Sequence, residues 1–139
     1  MIFRSAAAVA VLAAFSLASA TAALAQGYPT RPVRIVVPFT PGGGTDLLAR
    51  LLSVRFTEAF GHSVIVENRA GSGGNIGAEF VIKSPADGYT LLMSTASMAV
   101  NVSLYPKLPF DVRSDLIPIV QVASAPIVLC VHPSVPART

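Results

Sequence analysis

Val33-Arg34-Ile35-Val36-Val37-Pro38-Phe39-Thr40-Pro41-Gly42-Gly43-Gly44-Thr45-Asp46 is the stretch that decides the fold. The β-branched apolar residues Val33, Ile35, Val36 and Val37 predict a buried strand, which the prolines flanking Phe39-Thr40 bring to an end. Three glycines then turn the chain. Beyond them Leu47, Leu48, Leu51, Leu52, Phe56, Ala59 and Phe60 recur at spacings of three and four, predicting a helix with one buried face. Thr45 is the expected N-cap and Gly61 the expected stop. A strand that feeds a helix through a glycine turn leaves main-chain N–H groups and the positive end of a helix dipole at the strand's tip, where an anion can sit.

The pattern then repeats in kind. Val64-Ile65-Val66 predicts a second strand, Glu67 to Asn75 a second glycine-rich turn, and the chain from about Ile76 to Lys83 a second helix. Pro85-Ala86-Asp87-Gly88 has turn chemistry at each place, and Tyr89 to Ser94 reads as a third strand ending in the polar run Ser94-Thr95-Ala96-Ser97. Leu116 to Val122 and Ile127 to Val131 are two further strand candidates. Alternating strands and helices predict a layered α/β fold with a parallel sheet.

Upstream, Met1 to Ala25 has a basic start (Arg4), an apolar run from Ala6 to Ala20 and the end Ala23-Leu24-Ala25, the pattern of a cleaved secretory signal peptide. A membrane anchor is the alternative, disfavoured because the run is mostly alanine. Gln26 is then the first mature residue. The chain carries 10 basic and 7 acidic residues, and loss of Arg4 brings the remainder closer to neutrality. The basic residues are scattered along the chain, so nucleic acid is not expected as a partner. Cys130 stands alone in an apolar run and reads as a small buried thiol, so an exported chain must rely on its core rather than on an internal disulfide. No Cys-x-x-Cys pair or metal cluster occurs, and neither a metal nor a cofactor is expected.

In open parallel sheets ligands collect beyond the carboxyl ends of the strands. Three such ends carry small or polar residues here: Thr40 to Asp46, Asn68 to Asn75 and Ser94 to Asn101. Asp46 complicates the first, since an acid in the first helical turn repels an anion. It either stabilises its helix through Arg50, four residues on, or receives a ligand amino or hydroxyl group. A P-loop is excluded because Gly44-Thr45-Asp46 puts an acid where the phosphate-binding lysine should stand. Gly71, Gly73 and Gly77 approach the dinucleotide fingerprint, but Ile76 occupies the place of the third glycine, leaving an exported oxidoreductase as a remote alternative. Catalysis has little support, so no enzyme is expected: His62 and His132 have no nucleophile near them in sequence, and Ser94 and Ser97 lack the G-x-S-x-G elbow. Tyr105-Pro106-Lys107 and Phe110 read as loop packing, with an aromatic lining the cleft as the alternative.

Five stretches, in order, carry a resemblance. They are Tyr28-Pro29 to Arg34, then Val36-Val37-Pro38-Phe39-x-Pro41-Gly42-Gly43-Gly44-Thr45-Asp46, then Val66-Glu67-Asn68-Arg69-x-Gly71-x-Gly73-Gly74-Asn75-Ile76-Gly77, then Asp87-Gly88-Tyr89-Thr90-Leu91-Leu92, then Asn101-x-Ser103-Leu104-Tyr105-Pro106-Lys107-Leu108-Pro109-Phe110-Asp111. The chain resembles the Bug family, extracytoplasmic solute receptors associated with tripartite tricarboxylate transporters. The resemblance implies a type II periplasmic-binding-protein fold, in which two α/β domains close on a small carboxylate held by main-chain groups and waters. It implies a periplasmic location, membrane transporter subunits as partners and no cofactor. Carried over, the ligand contacts are Phe39, Gly43, Gly44 and Thr45 in the first turn, Asn75 in the second, and Ser94, Thr95 and Asn101 around the third. Residues 1–25 are then the leader and 26–139 a partial first domain. The chain is expected to be truncated before the second domain, with binding weakened or lost as a result.

Overall fold

The computed structural model describes residues 27–136, so the leader expected at 1–25 lies outside the described residues. The elements in order are β1 (Val33–Val37), α1 (Gly44–Phe60), β2 (Val64–Asn68), a 3-10 turn (Ser72–Gly74), α2 (Asn75–Ile82), β3 (Thr90–Leu92) and α3 (Ser97–Leu104). The sheet has the order β2-β1-β3 and both pairings are parallel, with Val33 opposite Val64 and Ile35 opposite Leu91. The expected parallel α/β architecture is thus present.

β1 lies at the centre because its side chains are apolar toward both faces. Val33, Ile35 and Val37 join Ala49 and Val64 in the core, with Phe56 and Phe60 of α1 packed on them. Val36 and Pro38, fully buried, point the other way. There α2 approaches so closely that a Cβ on Gly77 would stand 2.8 Å from the Pro38 Cβ and 3.0 Å from the Arg69 carbonyl oxygen. The two crossover helices therefore cover opposite faces. Such a sheet has a switch point between β1 and β3, where connections leave in opposite directions and open a crevice at the carboxyl edge.

Several local expectations need correction. The N-cap of α1 is Gly43, not Thr45, whereas Gly61 ends the helix in a left-handed conformation (φ 67°) as expected. Leu47 and Leu51 face outward, so the buried stripe of α1 runs through Ala49, Phe56 and Phe60 instead. Ser97–Leu104, where the sequence reading placed no helix, is a helix that buries Met98 and Asn101. Leu116 to Val122 and Ile127 to Val131 form no strands; Ile117 and Ile127 are 89% and 96% exposed. An apolar run becomes a strand only when a neighbouring edge takes its backbone bonds, and neither run lies in the ladders of β2 or β3. Cys130, on the second run, is consequently exposed rather than buried.

Candidate carboxylate site

Because the three strands are parallel, the loops that follow them share one edge of the sheet. Main-chain bonds tie these loops to the tip of β1: the Arg69 N–H donates to the Val37 carbonyl at 2.8 Å and the Met93 N–H to the Val36 carbonyl at 2.9 Å. Gly42 (φ 88°) bends the first loop toward α1. Gly43 is extended and offers no side-chain cap, and the first helical bond is Leu47 N–H to the Gly43 carbonyl at 3.0 Å. The N–H groups of Gly44, Thr45 and Asp46 precede that bond and so have no partner within the helix.

Asp46 holds this loop in shape. Its Oδ2 accepts from the Gly42 N–H and from Arg50 Nε, each at 2.9 Å, and its Oδ1 accepts from Asn68 Nδ2, also at 2.9 Å. The same Asn68 nitrogen donates to the Phe39 carbonyl at 3.1 Å, which fastens the end of β2 to the first loop. Hydrogen bonding from Arg50, then from Gly42 and Asn68, keeps the Asp46 carboxyl well below the usual carboxylate range. Of the two roles weighed for Asp46, the internal one is what the structure contains: both oxygens are engaged and the residue is buried.

The second loop is built from left-handed residues, Ser72, Gly73 and Gly74 at φ 48°, 65° and 99°. Asn75, at the start of α2, is buried and accepts from Asn101 Nδ2 at 2.8 Å; that nitrogen also donates to the Gly73 carbonyl at 3.0 Å. Asn75 Nδ2 is buried with no partner among the described residues. An orphaned buried donor costs about 1–3 kcal/mol, so it marks a place where an acceptor belongs. A Cβ on Gly74 would touch the Phe39 ring at 3.7 Å, and one on Gly73 would meet the Tyr105 hydroxyl at 3.3 Å.

The predicted residues therefore separate into groups. Asn75 and Asn101 are joined directly, Phe39 packs beside Gly74, and Gly43, Gly44 and Thr45 are linked to Phe39 through the Asp46–Asn68 clasp. Ser94 and Thr95 lie at the same sheet edge but bond only locally, Thr95 Oγ1 to Ser97 Oγ at 2.8 Å and Ser94 Oγ to the Thr95 carbonyl at 3.4 Å. Asn68 as a clasp residue was not foreseen, since its partners depend on the register of β1 against β2; the Asp46/Arg50 spacing was visible. Tyr105 and Phe110 both line a groove of about 340 Å³ together with Val102, Leu108 and Val112, apart from the three sheet-edge loops. A second concavity, about 250 Å³, lies by Arg31, Asp87 and Tyr89 at the opposite end of the sheet, where Arg31 is already paired with Asp87. The glycines of the near-fingerprint have packing reasons: Gly77 against Pro38, and Gly71 against the Ile76 side chain.

The sequence profile described as "Tripartite tricarboxylate transporter family receptor" matches residues 48–139. Protein BugT of Bordetella pertussis is 45% identical over 130 residues, a match covering 88% of this chain and 40% of BugT. A UPF0065 protein from the tcbD-tcbE intergenic region of Pseudomonas sp. strain P51 is 42% identical over 125 residues, covering 87% of this chain and 37% of that protein. The chain thus spans about 40% of the length of the curated relatives it matches. Among solved structures, a periplasmic transporter superposes with a TM-score of 0.58 at 45% identity, over 61% of this chain and 29% of its own. MatC from Rhodopseudomonas palustris with bound malate superposes equally well, TM-score 0.58 at 35% identity, over 63% of this chain and 30% of MatC.

Proposed function

The chain belongs to the tripartite tricarboxylate transporter receptor family, and on that premise we propose that residues 26–139 form part of the first domain of a periplasmic receptor for small di- and tricarboxylic acids. Its ligand is handed to membrane transporter subunits, and the segment 1–25 directs export. The observation that carries the reading is the first loop: main-chain N–H groups without helical partners, held open at the carboxyl edge by the Asp46–Asn68 clasp. Malate bound by MatC, a structural neighbour, supports the same class of ligand.

In this reading a ligand carboxylate takes hydrogen bonds from the N–H groups of Gly44 and Thr45 and from the Thr45 hydroxyl, aided by the α1 dipole. Asn101 fixes the Asn75 amide through its own bonds, and a small outward shift of the second loop would let Asn75 Nδ2, the buried and orphaned donor, reach a second ligand oxygen. Phe39 walls the site, while Ser94 and Thr95 form its rim. Charge-assisted bonds contribute roughly 1.5–3 kcal/mol each. Three or four, less the cost of immobilising the ligand, correspond to micromolar affinity at about −8 kcal/mol.

Isothermal titration of the chain with malate, adipate and citrate tests the reading. Gly43→Val and Thr45→Val are suitable controls, because Gly43 has an ordinary extended backbone and a Cβ there meets nothing closer than 3.9 Å. Because the chain spans only about 40% of its relatives' length, binding weaker than that micromolar level, and lowered further at least tenfold by either substitution, is the expected result. Binding of any acid that neither substitution alters would sink the assignment of the first loop.

A further inference from the structure

Asp46 places a negative charge in the first turn of α1, beside the N–H groups that the site offers to an anion. Left unpaired, it would offset the positive end of the helix dipole and repel the ligand within the screening length of about 8–10 Å at 0.1–0.15 M salt. The carboxylate cannot swing away, since its side chain is 4% exposed and three donors hold it. Among the described residues, Arg50 is the cation paired with Asp46. Arg50 bonds Asp46 through Nε at 2.9 Å and braces itself on Asn68 Oδ1 through Nη2 at 3.3 Å. The other ion-paired cations on or next to the strands contact other carboxylates, Arg31 with Asp87, and Arg34 and Arg69 together with Glu67.

We propose that Arg50 is the charge-setting residue of the receptor: by neutralising Asp46 from behind, it decides how many negative charges the bound acid can carry. The proposal rests on the carboxylate reading above. Arg50 acts through Asp46, so it is a positioning residue and not a ligand contact. Repulsion from an unbalanced Asp46 scales with ligand charge, whereas a merely structural role would lower the affinity for all acids alike.

The experiment follows formate, malate and citrate at pH 8 by the amide NMR shifts of Gly43, Gly44 and Thr45, a readout that also reports millimolar binding. Arg50→Gln is expected to weaken citrate about tenfold more than formate, Arg50→Lys to restore the wild-type ranking, and added salt to narrow the gap. Asp46→Asn, which keeps an acceptor but removes the charge, shifts the ranking the other way, toward citrate. The last arm also stands if Arg50→Gln does not fold. Equal losses for all three acids in Arg50→Gln, or an unchanged ranking in Asp46→Asn, overturn the proposal while leaving the receptor reading intact. No response to any acid in the wild-type chain overturns both.

Discussion

Glycines at this sheet edge look alike in the sequence and do different physical work. At Gly44 a Cβ would meet nothing within 4 Å, so its lack of a side chain matters only to whatever approaches from outside. Gly77 is the reverse case. A Cβ there would lie 2.8 and 2.9 Å from the Pro38 Cβ and Cα and 3.0 Å from the Arg69 carbonyl oxygen. Two of those three atoms are backbone, fixed by the β1–β2 pairing, and cannot yield as a flexible side-chain end would. Gly77→Ala is therefore expected to cost about 1–3 kcal/mol, read as a lower urea midpoint at unchanged slope. Ligand affinity should fall with it, because displaced Pro38 carries Phe39 along. An unaltered midpoint would mean that α2 does not approach β1 as closely as the packing requires.

An element-scale conflict sits at the start of α1, where a 17-residue helix begins on glycine without a side-chain cap. Serine at an N-cap bonds the N–H groups of the second and third helical residues and is a few tenths of a kcal/mol better than glycine there. Those N–H groups belong to Thr45 and Asp46, and the first is assigned to the ligand. Gly43→Ser should thus raise the melting temperature slightly while weakening carboxylate binding, two changes of opposite sign measurable on one sample by calorimetry. Parallel losses or gains would show that the loop is not a trade between cap and ligand. This uncapped start also explains why the site was only partly legible in the sequence. β1 and the Gly61 stop followed from β-branched residues and left-handed helix ends, which are local properties. The choice of Gly43 over Thr45 as cap was not local: Asp46 is drawn to Asn68 and Gly42, and that fixes where the helix can begin. α3 was missed because Val100, Val102 and two serines weaken its helical signal; burial of Met98 and the Asn101–Asn75 bond supply what propensity does not. The runs at 116–122 and 127–131 failed for the converse reason, having strand composition but no edge to pair with.

At the scale of the molecule, order is concentrated around β1, which is bonded on both sides, and thins toward the end of the described chain. Ile117, Ile127 and Leu129 are 89%, 96% and 90% exposed, far from the balance of a folded surface. Residues so exposed contribute almost nothing to folding, since burial and not apolar character is what stabilises. Replacing all three with serine should accordingly change the unfolding free energy by less than about 0.5 kcal/mol. Amide exchange should show the same gradient: slowest at Val33–Val37, slow at Val64–Asn68, and close to unprotected from 116 to 131, with the triple variant indistinguishable from wild type at β1. The variant should differ in association, because contiguous exposed apolar surface drives chains together. Sedimentation is expected to find the wild-type chain in larger species at concentrations where the serine variant stays monomeric. A large loss of stability in that variant, or slow exchange across 116–131, would mean that these residues are held against the sheet in solution, adding strands that the described structure does not contain.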